Sequence, residues 1–225
     1  MKKTLNIHTA LSNAHVSISD NGELIAYKTC DAQKDHAGFV QTAIRELLDE
    51  SNISLNDISA VATTIGPGSY TGLRVGLASA KGLCYALDIP LIGINTLELL
   101  AFSLINNNLV DKNTLLIPMI DARRMEVFTT IYNYQLETIM PPCNLVLDEN
   151  SYKKNCEGIS VAFVGDAIEK WEKICTIDNA KFYKIWQIEE AFGKLSAKKM
   201  NENFFIDNAY AEPLYIKDFY VNHTQ

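Results

Sequence analysis

The glycine-rich stretch from Gly66 to Gly82, GPGSYTGLRVGLASAKG, constrains the fold of this chain more than any other part of the sequence. An ordinary helix or loop does not hold so many glycines, because each one loses much conformational freedom on folding. The residues before it, Ile58 to Ile65, are apolar and β-branched and predict a strand. The residues after the turn keep a helical spacing of apolar side chains to about Leu87. The sequence therefore predicts a strand, a tight turn and a helix in succession.

The turn at the start of this stretch allows three interpretations. Backbone N–H groups at a helix N-terminus bind anions, so Gly66, Gly68 and Ser69 are candidates for a phosphate or cofactor cradle. Their spacing is neither that of a P-loop nor that of a dinucleotide fingerprint, which weakens this interpretation. The second interpretation is a tight turn with close helix packing, capped by Ser69 or Thr71. The third is a close approach by another chain.

The predicted helix from Leu73 to Leu87 has a core side, whose residues are Leu73, Gly76, Leu77, Ala80, Leu83, Cys84 and Leu87. Its other sides are also apolar or small, apart from a narrow polar stripe of Arg74, Lys81 and Asp88. A helix of this kind is covered on two sides. Glycine inside a helix costs about 1 kcal/mol relative to alanine, so a close neighbour must compensate. We therefore predict a partner surface on this helix and on the neighbouring predicted helix, Ala37 to Glu50. Its residues are Phe39, Ala43, Leu47, Val75, Ala78, Ser79, Gly82 and Ala86.

Five stretches of the sequence together resemble the signature of one family. They are Ile65 to Gly82, Asp88 to Glu98, Asp121 to Phe128 (DARRMEVF), Val161 to Asp166, and Glu212 to Lys217. In length and order they are similar to the TsaB family, formerly called YeaZ. The resemblance covers most of residues 1–130 and becomes sparse between 135 and 210.

The resemblance implies an α/β fold of the actin-like type (sugar kinase, heat-shock protein and actin; ribonuclease H-like), with two related halves of which the second is reduced. It also implies a role in forming N6-threonylcarbamoyladenosine in tRNA. There the chain is a non-catalytic partner of a TsaD-like transferase, joined by a TsaE-like ATPase. Contact with tRNA is expected only through the complex, and a homodimer is expected when the partner is absent. The resemblance implies no cofactor bound by this chain alone, with ATP at or near the complex interface.

The order of predicted elements agrees with an α/β architecture. Three strands, a helix, a strand, a helix, a strand and a helix follow one another in the first half, and the Asn-Gly pair at Asn21 predicts a hairpin. Strands begin again at Leu115 to Ile120 and at Glu126 to Tyr134. We place the boundary in the Asn-rich segment Asn106 to Asn113. The predicted domains are residues 1–108, with the glycine motif and partner helices, and a smaller domain, 109–225, whose last segment packs back on the first.

Charge and composition limit the functions that the chain can perform by itself. Its 20 basic residues are outnumbered by 27 acidic ones, which opposes a tRNA-binding surface of its own because such surfaces neutralise phosphates. No apolar run has the roughly 18 to 20 residues that a membrane span needs. The 5 cysteines form no Cys-x-x-Cys pair, which favours a reducing cytoplasm.

Histidine spacing and the end of the first strand argue against chemistry in this chain. His36 has no second histidine one helical turn later, and His8 and His15 lie on either side of a predicted turn, so neither arrangement predicts a metal site. The first strand ends at His8, where the family has an Asp-Thr-Ser sequence. An imidazole is a poor ligand for magnesium, which prefers oxygen. We predict no catalytic and no metal residues.

Two hypotheses remain from the sequence. The first is the non-catalytic partner of a TsaD-like subunit. The alternative is an actin-like enzyme, either a glycoprotease-like hydrolase or a nucleotide-dependent transferase. Hydrolysis of ATP or peptide by the purified chain, compared with complex formation, distinguishes between them.

Overall fold

Two five-stranded sheets form the framework of this chain in a computed structural model that describes residues 2–30, 36–184 and 187–216. The elements of the first half are β1 (Lys3–His8), β2 (Ala14–Asp20), β3 (Glu23–Cys30), α1 (His36–Glu50), a short 3₁₀ helix (Leu55–Asp57), β4 (Ile58–Gly66), α2 (Tyr70–Leu87), β5 (Leu91–Asn95) and α3 (Thr96–Asn106). The elements of the second half are β6 (Leu115–Asp121), β7 (Glu126–Tyr132), β8 (Thr138–Val146), α4 (Lys153–Cys156), β9 (Val161–Gly165), α5 (Ile168–Glu172), β10 (Ala180–Tyr183) and α6 (Ile188–Asn201).

The two sheets have the same topology. In the first, the order is β3-β2-β1-β4-β5, with β1 antiparallel to β2 and parallel to β4. In the second, the order is β10-β9-β6-β7-β8, with β6 antiparallel to β7 and parallel to β9. This repeated arrangement is the actin-like fold, as the family resemblance implied. The second sheet is complete, and only its helices are short: α4 has 4 residues and α5 has 5.

Local sequence signals explain several of the element ends. Asn21 and Gly22 join β2 to β3 with positive φ angles of 50° and 92°, as a two-residue hairpin turn requires. The Asn95 side chain caps α3 by accepting hydrogen bonds from the N–H groups of Leu97 and Glu98. The spacing of Asn95 and Glu98 is that of a capping box, in which the Glu98 carboxylate would accept a hydrogen bond from the Asn95 N–H. The Glu98 carboxylate instead lies 3.1 Å from the Lys199 ammonium on α6.

Three apolar clusters hold the layers together. One lies between the first sheet and the outer helices α1 and α2, and another between the second sheet and the short helices α4 and α5. The third contains α3, α6 and residues of both sheets, so it joins the two halves. The helix α6, which the sequence did not predict, packs against β1, β2 and β3. Its Gly193 allows this approach, because a Cβ there would lie 3.0 Å from the Gly22 carbonyl oxygen.

Candidate partner surface and cleft

The glycine turn between β4 and α2 is packed against the chain's own backbone. Gly66 and Gly68 have φ angles of +123° and +156°, and a Cβ on Gly68 or Gly72 would overlap the carbonyl oxygens of Ala10 or Thr9. The N–H of Ser69 donates to the Ala10 carbonyl at 2.7 Å, so this amide already has an acceptor. The geometry here is that of a tight turn with close packing, the second of the three interpretations. Gly66, Gly68 and Ser69 remain only candidates for a cofactor cradle.

Of the two caps that the sequence allowed, Ser69 and Thr71, Ser69 is the one that caps the helix. Its Oγ accepts a hydrogen bond of 3.2 Å from the N–H of Gly72, which would otherwise have no acceptor at the helix start. Thr9 reinforces the same turn, since its hydroxyl donates to the Gly72 carbonyl at 2.7 Å. The start of α2 is thus fixed by the cap and by the loop that follows β1.

Helix α2 buries one side and exposes another. Leu73, Leu77, Ala80 and Cys84 are at most 4 % exposed and form its core side, as predicted. The opposite side carries three exposed small residues one turn apart, Ala78, Gly82 and Ala86, together with Tyr85, whose exposed fraction is 85 %. We call these four residues the α2 face. A Cβ added at Gly82 meets no atom within 4 Å, so none of the described residues covers this position.

Only some residues of the predicted partner surface are exposed to solvent. Ala43 and Leu47 on α1 are 2 % and 1 % exposed and pack in the core between α1 and the first sheet, so their prediction as partner contacts was wrong. Their spacing placed them on the apolar stripe of α1, and that stripe faces inward. Phe39 and Val75 are partly buried against the same core. Ser79 accepts a 3.1 Å hydrogen bond from Gln41 and so helps to join α2 to α1.

A segment near the C-terminus, residues 204–216, crosses the first sheet and α2; we call it the strap. Its Ile206 N–H donates to the Leu91 carbonyl at 3.0 Å, which extends the β5 edge. The Lys81 ammonium donates to two strap carbonyls at 3.1 Å each, and the Arg74 guanidinium donates to the Tyr215 hydroxyl at 3.1 Å. The polar stripe of α2 therefore holds the strap, a role that the sequence analysis missed.

His8 and His15, which the sequence placed on either side of a turn, lie side by side. They are directly paired across β1 and β2, and their ring centroids are 5.0 Å apart. Phe192 on α6 contacts both rings edge-on. Burial and the neighbouring His8 lower the pKa of His15 well below 6.5, so His15 is neutral at pH 7. The side chain of His36 lies outside the described residues.

A cleft of about 500 Å³ opens beside the two histidines, between the first sheet and the second. His8, His15 and the loop after β1 line one side, and the segment that follows β9 lines the other. Its charged residues are Asp166, Glu169, Lys184 and Glu189. Desolvation raises the pKa of Asp166 and that of Glu189. Within residues 2–30, 36–184 and 187–216, no group of three or more potential metal ligands occurs.

The turn after β6 carries the DARR sequence. Arg123 and Arg124 have φ angles of 73° and 47°, an uncommon backbone conformation for residues other than glycine. Lys170 stabilises this turn, because its ammonium donates to the Asp121 carboxylate at 3.0 Å and to the carbonyls of Arg124 and Glu126 at 2.9 and 2.7 Å. Asp121 therefore has a structural role at this position.

The chain resembles proteins of a known tRNA-modification family in both sequence and fold. The model of the family described as TsaD, tRNA N6-adenosine threonylcarbamoyltransferase, matches residues 30–201. A curated relative from Bacillus subtilis, tRNA threonylcarbamoyladenosine biosynthesis protein TsaB, is 34% identical over 146 residues, which are 64% of this chain and 62% of that protein. The chain belongs to this tRNA-modification family, and within it to the TsaB (YeaZ) proteins. The TsaB of Escherichia coli is 33% identical over 131 residues, 58% of this chain and 54% of that protein.

Two solved structures share the fold of this TsaB member. One is titled an uncharacterized protein with similarity to peptidase YEAZ from Pseudomonas aeruginosa, with a TM-score of 0.83 and 20% identity over 96% of this chain and 100% of the other. The second, YeaZ from the same organism, has a TM-score of 0.79 and 22% identity, with the same coverage. None of the described helices has the length and hydrophobicity needed to cross a bilayer.

Proposed function

We propose that this chain is a non-catalytic partner of a TsaD-like threonylcarbamoyltransferase in the formation of N6-threonylcarbamoyladenosine in tRNA. Membership of the TsaB family supports the pathway. The observation that carries the partner role is the α2 face, because it is an exposed helix side of small residues without charge. Small side chains allow another backbone to approach closely, and an exposed tyrosine beside them provides contact area at low entropic cost.

The shape of α2 supports docking on this side of the helix. Its core side is buried in the first sheet, and its cations Arg74 and Lys81 are engaged with the strap. The α2 face is the side that remains, and it lies next to α1, whose Gln41 joins the two helices. A helix of the TsaD-like subunit that packs over Ala78, Gly82 and Ala86 accounts for the glycine in mid-helix, which costs about 1 kcal/mol relative to alanine.

The end of β1 supports the non-catalytic part of the proposal. In an actin-like ATPase site we expect a carboxylate here, whereas this chain has His8, which is 0 % exposed, stacked on His15 and in edge-on contact with Phe192. The ring is packed as a core side chain. Burial raises the pKa of the Cys84 and Cys156 thiols to about 11, so both are protonated at pH 7 and are poor nucleophiles.

A reconstituted modification reaction tests this proposal. His8→Phe keeps an aromatic ring in the stack, and Asp121→Asn keeps the shape of the side chain that holds the turn after β6. We expect both variants to retain formation of the modified nucleoside with the TsaD-like subunit. Loss of all activity by either variant, while folding and complex formation remain intact, would show that the residue takes part in the chemistry.

The further partners of the complex belong to the same proposal. We infer a TsaE-like ATPase as a third component, tRNA contact only through the assembled complex, ATP at or near the interface, and a homodimer when the TsaD-like subunit is absent. We place the complex in the cytoplasm. Purification of the tagged chain from its own cells, followed by identification of the bound proteins and RNA, tests each of these partners.

The enzyme alternative has one observation in its favour, the transferase description of the family model that matches residues 30–201. A glycoprotease-like hydrolase or a nucleotide-dependent transferase would turn over substrate without a partner. The purified chain is therefore assayed alone for hydrolysis of ATP and of peptides, and then mixed with the TsaD-like subunit. We expect no turnover alone and a stable complex after mixing; turnover alone favours the enzyme.

A further inference from the structure

The cleft between the two sheets is a second place on the molecule with the features of a binding site, and it is distinct from the α2 face. Its volume of about 500 Å³ lies within the range of small-molecule pockets, roughly 300 to 1,000 Å³. The apolar side chains of Leu11, Ile168 and Ile188 contribute to its lining together with polar groups. A pocket with this mixture of walls suits a small molecule that has an aliphatic body and polar ends.

The charges that line the cleft do not balance. Among the lining residues that the structure describes, three carboxylates, Asp166, Glu169 and Glu189, face one lysine, Lys184. The Lys184 ammonium lies 2.9 Å from the Glu169 carboxylate, so this pair neutralises itself. Asp166 accepts a hydrogen bond of 2.7 Å from the backbone N–H of Asp121, but this donor carries no charge. Lys170 also lies near enough to favour the charged form of Asp166, but its ammonium forms an ion pair with Asp121. Among the described residues, neither Asp166 nor Glu189 has an ion-pair partner, so both carboxylates are left for a ligand.

The histidine side of the cleft adds acceptors rather than positive charge. His15 is 2 % exposed, it lines the cleft, and its Nε2 has no hydrogen-bond partner among the described residues. Because its pKa lies well below 6.5, the ring is neutral at pH 7. A neutral imidazole has one nitrogen that accepts a hydrogen bond. The neutral ring of His15 therefore does not repel a positively charged ligand.

We propose that the cleft binds a small organic cation, a primary or secondary amine with an aliphatic body. Its ammonium groups donate to the Asp166 and Glu189 carboxylates, and its methylene groups pack on the apolar lining. Partial desolvation raises the pKa of each carboxylate, and a bound ammonium offsets this cost to the charged form. This inference does not depend on the partner role proposed above.

Titration calorimetry of the purified full chain with spermidine as the probe tests the proposal. We expect saturable binding of one spermidine per chain. Glu189→Gln and Asp166→Asn keep the size of each side chain and remove its charge, and each should weaken spermidine binding by about tenfold, because a charge-assisted hydrogen bond becomes a neutral one. The matched control is Glu190→Gln, one residue further along α6, which removes the same charge from an exposed residue that does not line the cleft. This control should keep the affinity of the unmodified chain.

Three results would overturn the proposal. The first is no heat of binding with spermidine. The second is an equal loss of affinity in the Glu190→Gln control, since this would show unspecific attraction to an acidic chain. The third is binding of ATP, an anionic probe, that Glu189→Gln strengthens, because the cleft would then hold an anion. Melting temperatures of all three variants show whether each is folded, and Asp166→Asn provides a second measurement if Glu189→Gln is unstable.

Discussion

Replacing Gly82 by leucine distinguishes a partner surface from a face that packs only within the chain. A Cβ at this position meets no atom of residues 2–30, 36–184 and 187–216 within 4 Å, so we expect the leucine side chain to extend into solvent in the isolated protein. Leucine is also a better helix former than glycine by about 1 kcal/mol. We therefore expect Gly82→Leu to raise the melting temperature of the isolated chain by about 2 to 4 °C, the shift that 1 kcal/mol produces in a protein of this size.

Association with the TsaD-like subunit should change in the opposite direction. If a helix of the partner packs over the α2 face, the leucine overlaps it, and overpacking costs about 1 to 3 kcal/mol. Since about 1.4 kcal/mol is a factor of ten, the dissociation constant should rise by roughly 5- to 150-fold. The assay is titration of the TsaD-like subunit with each variant, combined with size-exclusion chromatography of the mixture and thermal unfolding of the isolated chain.

Two control variants separate the effect of bulk at Gly82 from that of any added leucine. Gly82→Ala gives a similar gain in helix propensity with little bulk, so it should be more stable than the original chain and still bind. Lys198→Leu places an exposed leucine on α6, away from the α2 face, and should also bind. The reasoning is refuted if Gly82→Leu binds the TsaD-like subunit with unchanged affinity, or if it lowers the melting temperature of the isolated chain.

Three further predictions concern the stability of the fold. Gly72→Ala places a Cβ against the Thr9 carbonyl oxygen and should lower the free energy of unfolding by about 1 to 3 kcal/mol or more. Urea unfolding measures this loss, with Gly82→Ala as the control. An unchanged stability would contradict the close packing of the turn. Because the pKa of His15 in the folded chain lies well below 6.5, the unfolded chain alone takes up this proton on acidification. His15 should therefore lower the free energy of unfolding by up to about 1.4 kcal/mol for each pH unit below pH 6.5. His15→Phe should remove this contribution to the pH dependence of stability, measured by urea unfolding at about pH 7 and about pH 5.5. The same pH dependence in the variant and the original chain would refute the prediction. Lys170→Met removes three hydrogen bonds to the turn at 121–126 and should cost about 1 to 3 kcal/mol, with faster amide exchange confined to that turn; unchanged exchange there would contradict the role of Lys170.

Local sequence determined the elements of the first half of the fold. The Asn-Gly pair at Asn21 fixes the hairpin because both residues accept positive φ, and the serine before α2 is its cap because its hydroxyl lies within reach of an unpaired N–H. The apolar spacing in α2 correctly predicted Leu73, Leu77 and Cys84 as core residues. These signals depend on residues close together in the chain. They were sufficient to predict an α/β architecture, whereas the actin-like type was implied by the family resemblance.

Sequence spacing predicted the apolar stripe of α1 but not the surface that packs against it. Ala43 and Leu47 belong to that stripe, and an apolar stripe has the same periodicity whether it faces a sheet of its own chain or a partner. Burial at 2 % and 1 % in the core against the first sheet decided the matter. At Gly82 the structure shows a position that none of the described residues covers, and its contact with a partner stays a prediction.

Contacts between distant parts of the chain were decided only by the tertiary structure. His8 and His15 are stacked because β1 and β2 pair in that register, although seven residues and a turn separate them. The strap meets α2 through Lys81 and residues 128 to 130 positions away, and α6 returns to pack on the first sheet. Such contacts leave no periodic pattern in the sequence, because each depends on which surfaces the folded sheets bring together. The composition of the cleft has the same origin: its carboxylates and imidazoles come from both halves and become neighbours only after the two sheets pack against α3 and α6.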